Sequence, residues 1–191
     1  MERSFIEDET FKGKQATEIS TGYITYDNCT FTDCDLSNAD LSRIHFMDCK
    51  FYGCNISNAK LLQVALRNIA FKDCKMMGLL FDDCDEFLFE VNFENCILNF
   101  SSFARRKMKN TRLNGCMLTE VNFIMADLSN AVLDKCDLSG AKFENTILEK
   151  TDFRTAVNYS INPEINKMKK AKFSLQGIPG LLDKYDIVIE I

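Results

Sequence analysis

"NCTFTDCDLSNADLSRIHFMDCKFYGCNISNAKL", residues 28–61, carries Cys29, Cys34, Cys49 and Cys54 at spacings of five, fifteen and five. Metal clusters and disulfide frameworks are the usual reasons for so many cysteines, but zinc sites of this kind commonly add histidines, and disulfide frameworks belong to small secreted chains with even cysteine counts. This chain has nine cysteines and a single histidine in 191 residues. The reason for the spacing lies in the residues between the cysteines. Stepping by five from Phe31 gives Leu36, Leu41, Phe46, Phe51, Ile56 and Leu61, all large and apolar.

The same step continues through Leu66, Phe71 and Met76 to Phe81. It slips by two residues and resumes at Phe93, running to Phe153, so that 24 of 24 positions are Leu, Phe, Ile or Met. A period of five fits neither a helix (3.6) nor a strand (2). Two residues before most centres stands a small or β-branched residue, and all nine cysteines fall in that slot. The unit is small–polar–large–polar–polar, with the small and large residues inward. Cys34, Cys54 and Cys74 are twenty apart, as are Cys96, Cys116 and Cys136. Twenty residues are four units, the content of one coil with four sides. Stacked coils would pair through backbone hydrogen bonds at about 4.8 Å, and no proline interrupts residues 1–162. Cysteine then acts as a small buried filler equivalent to alanine, valine or serine. A disulfide along the column is within reach in distance, but the side chains would lie parallel.

Composition narrows the function. The hydrophobic fraction of 46% allows a packed core, and the net charge of −5 argues against direct nucleic-acid binding. "MERSFIEDETFKG" has no apolar signal-peptide core, and no run approaches the roughly 18 apolar residues of a membrane span. A reducing, cytoplasmic setting is the expectation. No P-loop, dinucleotide fingerprint, catalytic triad or metal motif is present. His45 falls in an outward slot. The expectation is a non-enzymatic protein without cofactor, catalytic residues or metal.

"CDLSN", "ADLSR", "ADLSN", "CDLSG" and "TDFRT" resemble the A(D/N)Lxx unit of the pentapeptide-repeat proteins. The resemblance implies an all-β solenoid, a right-handed quadrilateral β-helix of about six to seven coils. It spans residues 23–157, between an N-terminal capping segment (1–22) and a C-terminal helical cap and dimerisation segment (158–191). The tail "KFSLQGIPGLLDKYDIVIEI" is similar to the terminal helix and strand of the quinolone-resistance members. Those proteins dimerise at the C-terminus and bind DNA gyrase or topoisomerase IV as mimics of a DNA duplex. The resemblance therefore implies a homodimer and a type II topoisomerase partner, with fluoroquinolone protection. The alternative is a structural scaffold displaying its sides to some other protein. Larger quinolone-resistance proteins carry loops that interrupt the coils; this chain has only the two-residue insertion near 85–90.

Three irregularities stand out. "FDDCDEFLFEVNFEN" holds Asp82, Asp83, Asp85, Glu86, Glu90 and Glu94 without a basic residue, either a solvated bulge or a partner-binding patch. Arg106 occupies an inward small slot, where a charge must escape or pair; a distortion or a salt bridge to acidic side chains of the preceding coil is expected. At the C-terminus, Asn162 and Pro163 have the form of a helix N-cap and first turn. A second helix is expected over 175–184, with Phe173, Ile178, Leu181, Leu182 and Tyr185 as cap residues or dimer contacts. Charge weighs on the DNA-mimic reading. Duplex DNA carries one charge per about 1.7 Å. Residues 27–96 hold twelve acidic and six basic side chains, a net of −6; residues 97–155 hold seven and nine, a net of +2.

Overall fold

The computed structural model describes residues 4–19, 22–188 and 190. The chain winds as a four-sided, all-parallel β-solenoid, each residue stacked on the one a coil later. On the first side, β1 (Ser4–Glu7), β3 (Ile24–Asp27), β5 (His45–Met47) and β7 (Ala65–Arg67) form a four-stranded parallel sheet. The second side is a seven-stranded sheet. Its strands, in spatial order, are β2 (Thr10–Lys12), β4 (Thr30–Thr32), β6 (Lys50–Tyr52), β8 (Ile69–Lys72), β9 (Val91–Glu94), β10 (Arg112–Asn114) and β11 (Val132–Asp134). The third and fourth sides are held by single bridges, such as Asn55 to Lys75 and Ser102 to Asn122.

Large residues of one side stack into ladders. Phe31, Phe51, Phe71 and Phe93 lie ring on ring at 4.7, 5.0 and 5.4 Å. Phe81, Phe103, Phe123 and Phe143 do the same on the fourth side, at 4.3, 5.6 and 5.3 Å. All nine cysteines are buried and free. The small slot is not merely small, because it faces a backbone carbonyl of the preceding coil. Cys54 Sγ lies 3.4 Å from the Phe31 carbonyl and Cys74 Sγ 3.4 Å from that of Phe51. Thr146 Oγ1 donates to the Phe123 carbonyl at 2.9 Å and Thr151 Oγ1 to that of Leu128 at 2.7 Å. Cysteine, serine and threonine therefore alternate in a slot that accepts one weak or ordinary donor.

The outward "D-L-S" triplet has its own geometry. Asp35 accepts from the Ser37 amide and hydroxyl at 3.0 and 2.6 Å, and Asp137 accepts from Ser139 at 3.0 and 2.7 Å. These bonds hold both carboxyls below the usual carboxylate range. The fifth residue of each unit turns the corner with positive φ, as at Asn38 (57°), Asn58 (57°) and Asn130 (58°). Asparagine and glycine tolerate that conformation best.

The slip is a local bulge. β6 pairs Phe51 with Phe71 twenty residues on, whereas β8 pairs Phe71 with Phe93 twenty-two on, and β10 returns to twenty. The Asp85 amide still donates to Val64 at 2.8 Å and the Ile69 amide to Glu90 at 2.9 Å, so the extra residues lie between Asp85 and Glu90.

At the N-terminus Phe5, Phe11 and Tyr26 supply strands of the first coils, as the sequence suggests, and among the described residues the ladders reach back to Ser4, within the segment 1–22 assigned to the cap. The C-terminal end departs from the sequence expectation. Asn162 and Pro163 start no helix. Asn162 Oδ1 accepts from the Glu164 amide at 3.0 Å in a turn, and the coil continues past 157 through bridges Ile147–Lys167 and Asp152–Lys172. Asn166 fills the small slot, its Nδ2 donating to the Phe143 carbonyl at 2.8 Å, and Phe173 stacks on Phe153 at 5.2 Å. The ladder offers these residues more partners than an isolated turn of helix would. The expected second helix forms as two 3₁₀ segments, Leu175–Leu181 and Asp183–Tyr185.

Two measurements test this core. Phe71→Ala should lower unfolding free energy by about 3–5 kcal/mol in urea denaturation, as for other buried aromatics; Phe71 is 4% exposed. The second concerns pH. Burial pushes the thiols of Cys49 and Cys84 up to about 12, against about 8.5 in an unfolded chain. The folded state holds these protons more tightly. Their contribution is therefore complete below about pH 8.5 and is lost as pH rises toward 12. Urea midpoints should fall between pH 9 and 11, and less steeply in Cys49→Ala/Cys84→Ala than in the wild type.

Candidate partner-binding surface

The acidic segment folds as the only interruption of the coil among the described residues. Asp82 and Asp83 are exposed on a 3₁₀ turn, Phe81–Asp83, at the end of the fourth side. Asp85, Glu86 and Glu90 belong to the bulge on the first side, with Asp85 Oδ1 accepting from the Phe87 amide at 2.9 Å. Glu94 does not join them. It lies in β9 on the seven-stranded sheet and pairs with Lys72 at 2.9 Å. Four residues of sequence separation are nearly one side of the solenoid.

Phe87 and Leu88 form the exposed tip of the bulge, at 62% and 63%. Two arginines flank it, one from the coil before and one from the coil after. The Arg67 guanidinium carbon lies 5.2 Å from the Phe87 ring centroid, and that of Arg106 lies 5.7 Å from the Phe89 ring. Arg106 is buried, and its guanidinium donates to the backbone carbonyls of Cys84, at 2.6 Å, and Asp82. The expected salt bridge to carboxylates is thus replaced by carbonyl contacts. The bulge frees carbonyls that a regular coil would use in its ladder, so the charge is accommodated without a counter-ion.

At the C-terminal end, Phe173 and Leu181 pack on the core of their own chain. Gly177 and Gly180 approach Tyr159 so closely that a Cβ would stand 1.8 Å from its hydroxyl and 2.1 Å from its carbonyl oxygen. Tyr185 donates to Glu164 at 2.9 Å, and Lys184 pairs with the same carboxylate. Leu182 is half-buried. Ile178 and Tyr185 retain exposed surface, together with Leu175 and Val188.

Sequence reasoning passed over a further set of residues. Leu62, Leu80, Phe100 and Met125 are exposed apolar side chains around the fourth side. Phe100 and Met125 hold the corner position where Asn and Gly prevail, and that mismatch is a signal readable from the repeat alone. Among the described residues no group of three or more His, Cys, Asp or Glu is arranged to hold a metal, and no helix is long and apolar enough to cross a membrane.

This geometry defines a repeat solenoid: a uniform inward core with variable outward positions. The profile of the pentapeptide repeat region matches residues 24–86 and 87–158. The chain belongs to the pentapeptide-repeat family. Among solved structures it is similar to trypsin-treated QnrB1, described as a plasmid-mediated fluoroquinolone resistance protein, with 16% identity over 100% of both chains and a TM-score of 0.62. It is also similar to HetL, a pentapeptide repeat protein involved in heterocyst differentiation regulation in the cyanobacterium Nostoc. There the identity is 18%, over 91% of this chain and 85% of that one, with a TM-score of 0.50. No curated protein sequence matches the chain.

Removal of the buried guanidinium tests the bulge. Arg106→Ala leaves the Asp82 and Cys84 carbonyls without their donor and should cost about 1–3 kcal/mol. Hydrogen exchange should rise selectively at amides 85–90, while strands β4 and β6 keep their protection.

Proposed function

We propose that this chain is a non-catalytic binding rod that engages a type II topoisomerase, DNA gyrase or topoisomerase IV, and shields it from fluoroquinolones. The observation that carries the reading is the fold similarity to QnrB1 along the whole length of both chains. The shape supports it: six steps between the seven strands of the second side, at about 4.8 Å each, give a rod of about 29 Å before the ends are counted. The active form in this reading is a cytoplasmic homodimer joined end to end. Its contact is built from the surface that the C-terminal cap leaves open, Leu175, Ile178 and Tyr185. Leu175 is 84% exposed, more than its own coil can use.

The charge pattern shapes the proposal. Acidic side chains concentrate in the N-terminal half. Asp8, Asp48 and Asp73 each accept from an asparagine one coil on, at 2.6 Å from Asn28, 2.6 Å from Asn68 and 3.1 Å from Asn95. Asn–Asp alternation halves the charge of such a corner relative to an unbroken aspartate column. The DNA-like face is therefore the first half of each protomer, at the outer ends of the dimer.

Light scattering at tens of micromolar should give twice the chain mass, and Ile178→Glu should give a monomer with an unchanged melting temperature. In a supercoiling assay the wild-type protein should inhibit gyrase or restore its activity in the presence of a fluoroquinolone. A protein that does neither acts as a scaffold for another partner.

A further inference from the structure

No described residue pairs with the outer edge of the first coil, where β1 and β2 are the outermost strands of their sheets. The Glu9 carbonyl accepts from the Thr30 amide and the Gly13 amide donates to the Thr32 carbonyl, each at 2.9 Å. Those groups face the rod. Peptide groups of a parallel strand point alternately to its two neighbours, so the N–H and C=O of Thr10 and Lys12 face away from it. The inward centres are uncovered in the same way. One face of the Phe11 ring stacks on Phe31 at 4.9 Å, yet the residue is only half-buried, as are Ile6 and Ala16. The C-terminal end differs, because Phe173 and Leu181 pack on its core.

The residues of this edge select the partner. The stretch "EDETFKGKQ", residues 7–15, is acidic before Phe11 and basic after it: Glu7, Asp8 and Glu9 on one arm, Lys12 and Lys14 on the other. A two-fold axis through Phe11 pairs two such strands antiparallel. Thr10 then faces the other copy's Lys12, and their outward peptide groups exchange hydrogen bonds. Phe11 meets Phe11, which continues the phenylalanine ladder across the junction. Asp8 faces the other copy's Lys14, and Glu9 faces Gly13, which has no side chain to obstruct it. The same axis sets β1 against the third side of the other copy, Ile6 over Ala16. A further parallel coil fits worse. Glu9 and Lys14 stand in the inward small slots, in register with Cys29 and Cys34, and such a coil would bury both charges. An antiparallel copy gives each a counter-charge from the opposite arm. Lys14 already pairs with Glu18 at 3.0 Å, but that pair is exposed and its loss costs little.

We infer that the N-terminal edge of the rod is a self-association surface, at which a second copy of the chain pairs antiparallel through Thr10–Lys12. The contact is one end face of a narrow rod, small beside the about 1,600 Å² of a standard interface. It therefore forms in the range of about 0.1–1 mM and is empty at tens of micromolar. It is separate from the C-terminal contact of the proposed function and does not rest on that reading. Where both contacts form, rods join end to end.

The variant Ile178→Glu removes the C-terminal contact and leaves this one. Its sedimentation at low salt, from about 20 µM to about 1 mM, should show one chain mass rising toward two, and added salt should reverse the rise. In this background Asp8→Lys/Glu9→Lys sets lysines against lysines, and Lys12→Glu/Lys14→Glu sets carboxylates against carboxylates. Each should stay monomeric up to about 1 mM. Lysine already holds the left-handed corner at Lys150 and Lys170, so Asp8→Lys is compatible with the coil. An equimolar mixture of the two variants should recover a two-chain species, as should one chain carrying all four changes. Hydrogen exchange needs no charge variant: in Ile178→Glu the Thr10 and Lys12 amides should slow several-fold between the two concentrations, while amides 85–90 do not change. A monomer at about 1 mM, exchange at Thr10 and Lys12 indifferent to concentration, undiminished self-association of either double variant, or no recovery in the mixture would overturn the inference.

Discussion

Every residue of the solenoid must suit the residue one coil above and one coil below. The parallel backbone ladder imposes this, because each coil supplies the hydrogen-bond partners of the next at a fixed spacing of about 4.8 Å. A side chain that works once then works again at the same place. Phenylalanine stacks on phenylalanine, and a thiol in the small slot meets the same carbonyl that a threonine hydroxyl meets farther along. The exception follows the same rule. Arg106 enters the small slot only beneath the bulge, where the Asp82 and Cys84 carbonyls are free to receive it.

The repeat made most of the fold legible. Five-residue spacing with a twenty-residue column is incompatible with ordinary helices and strands, and it specifies four sides directly. The ends were less legible because their local signals compete with the ladder. Phe5, Ile6 and Phe11 keep the register, but single coils at an end carry few repeats to reveal it. Asn162 and Pro163 carry the chemistry of a helix start, yet the preceding coil offers backbone partners to Lys167 and Lys172, and the coil wins. At 175–185 the helical reading held only as 3₁₀ turns. Pro179 lies inside the first segment, and Gly177 and Gly180 are drawn against Tyr159.

The candidate surface was harder to read, since sequence adjacency and spatial adjacency differ in a coil. Six acidic residues within thirteen positions look like one patch, but Glu94 turns onto the next side and is neutralised by Lys72. Conversely, Leu80, Phe100 and Met125 are distant in sequence but lie on the same side, Phe100 and Met125 at its two opposite corners. The corner conformation was not evident from polarity alone. Once positive φ is known to recur at every fifth residue, a phenylalanine there is an anomaly.

Stability and recognition occupy different positions of the unit. Two inward residues in five hold the core, and their uniformity leaves three outward residues free to vary without altering the fold. Uniformity at an inward position therefore says nothing about function, since packing already explains it. Information about a partner resides in outward positions that the fold would fill differently: an acidic bulge with an aromatic tip, a bare leucine on the terminal cap, apolar side chains at left-handed corners. Each carries a physical cost that its own coil does not recover. A partner that covered such apolar surface would recover part of that cost on binding.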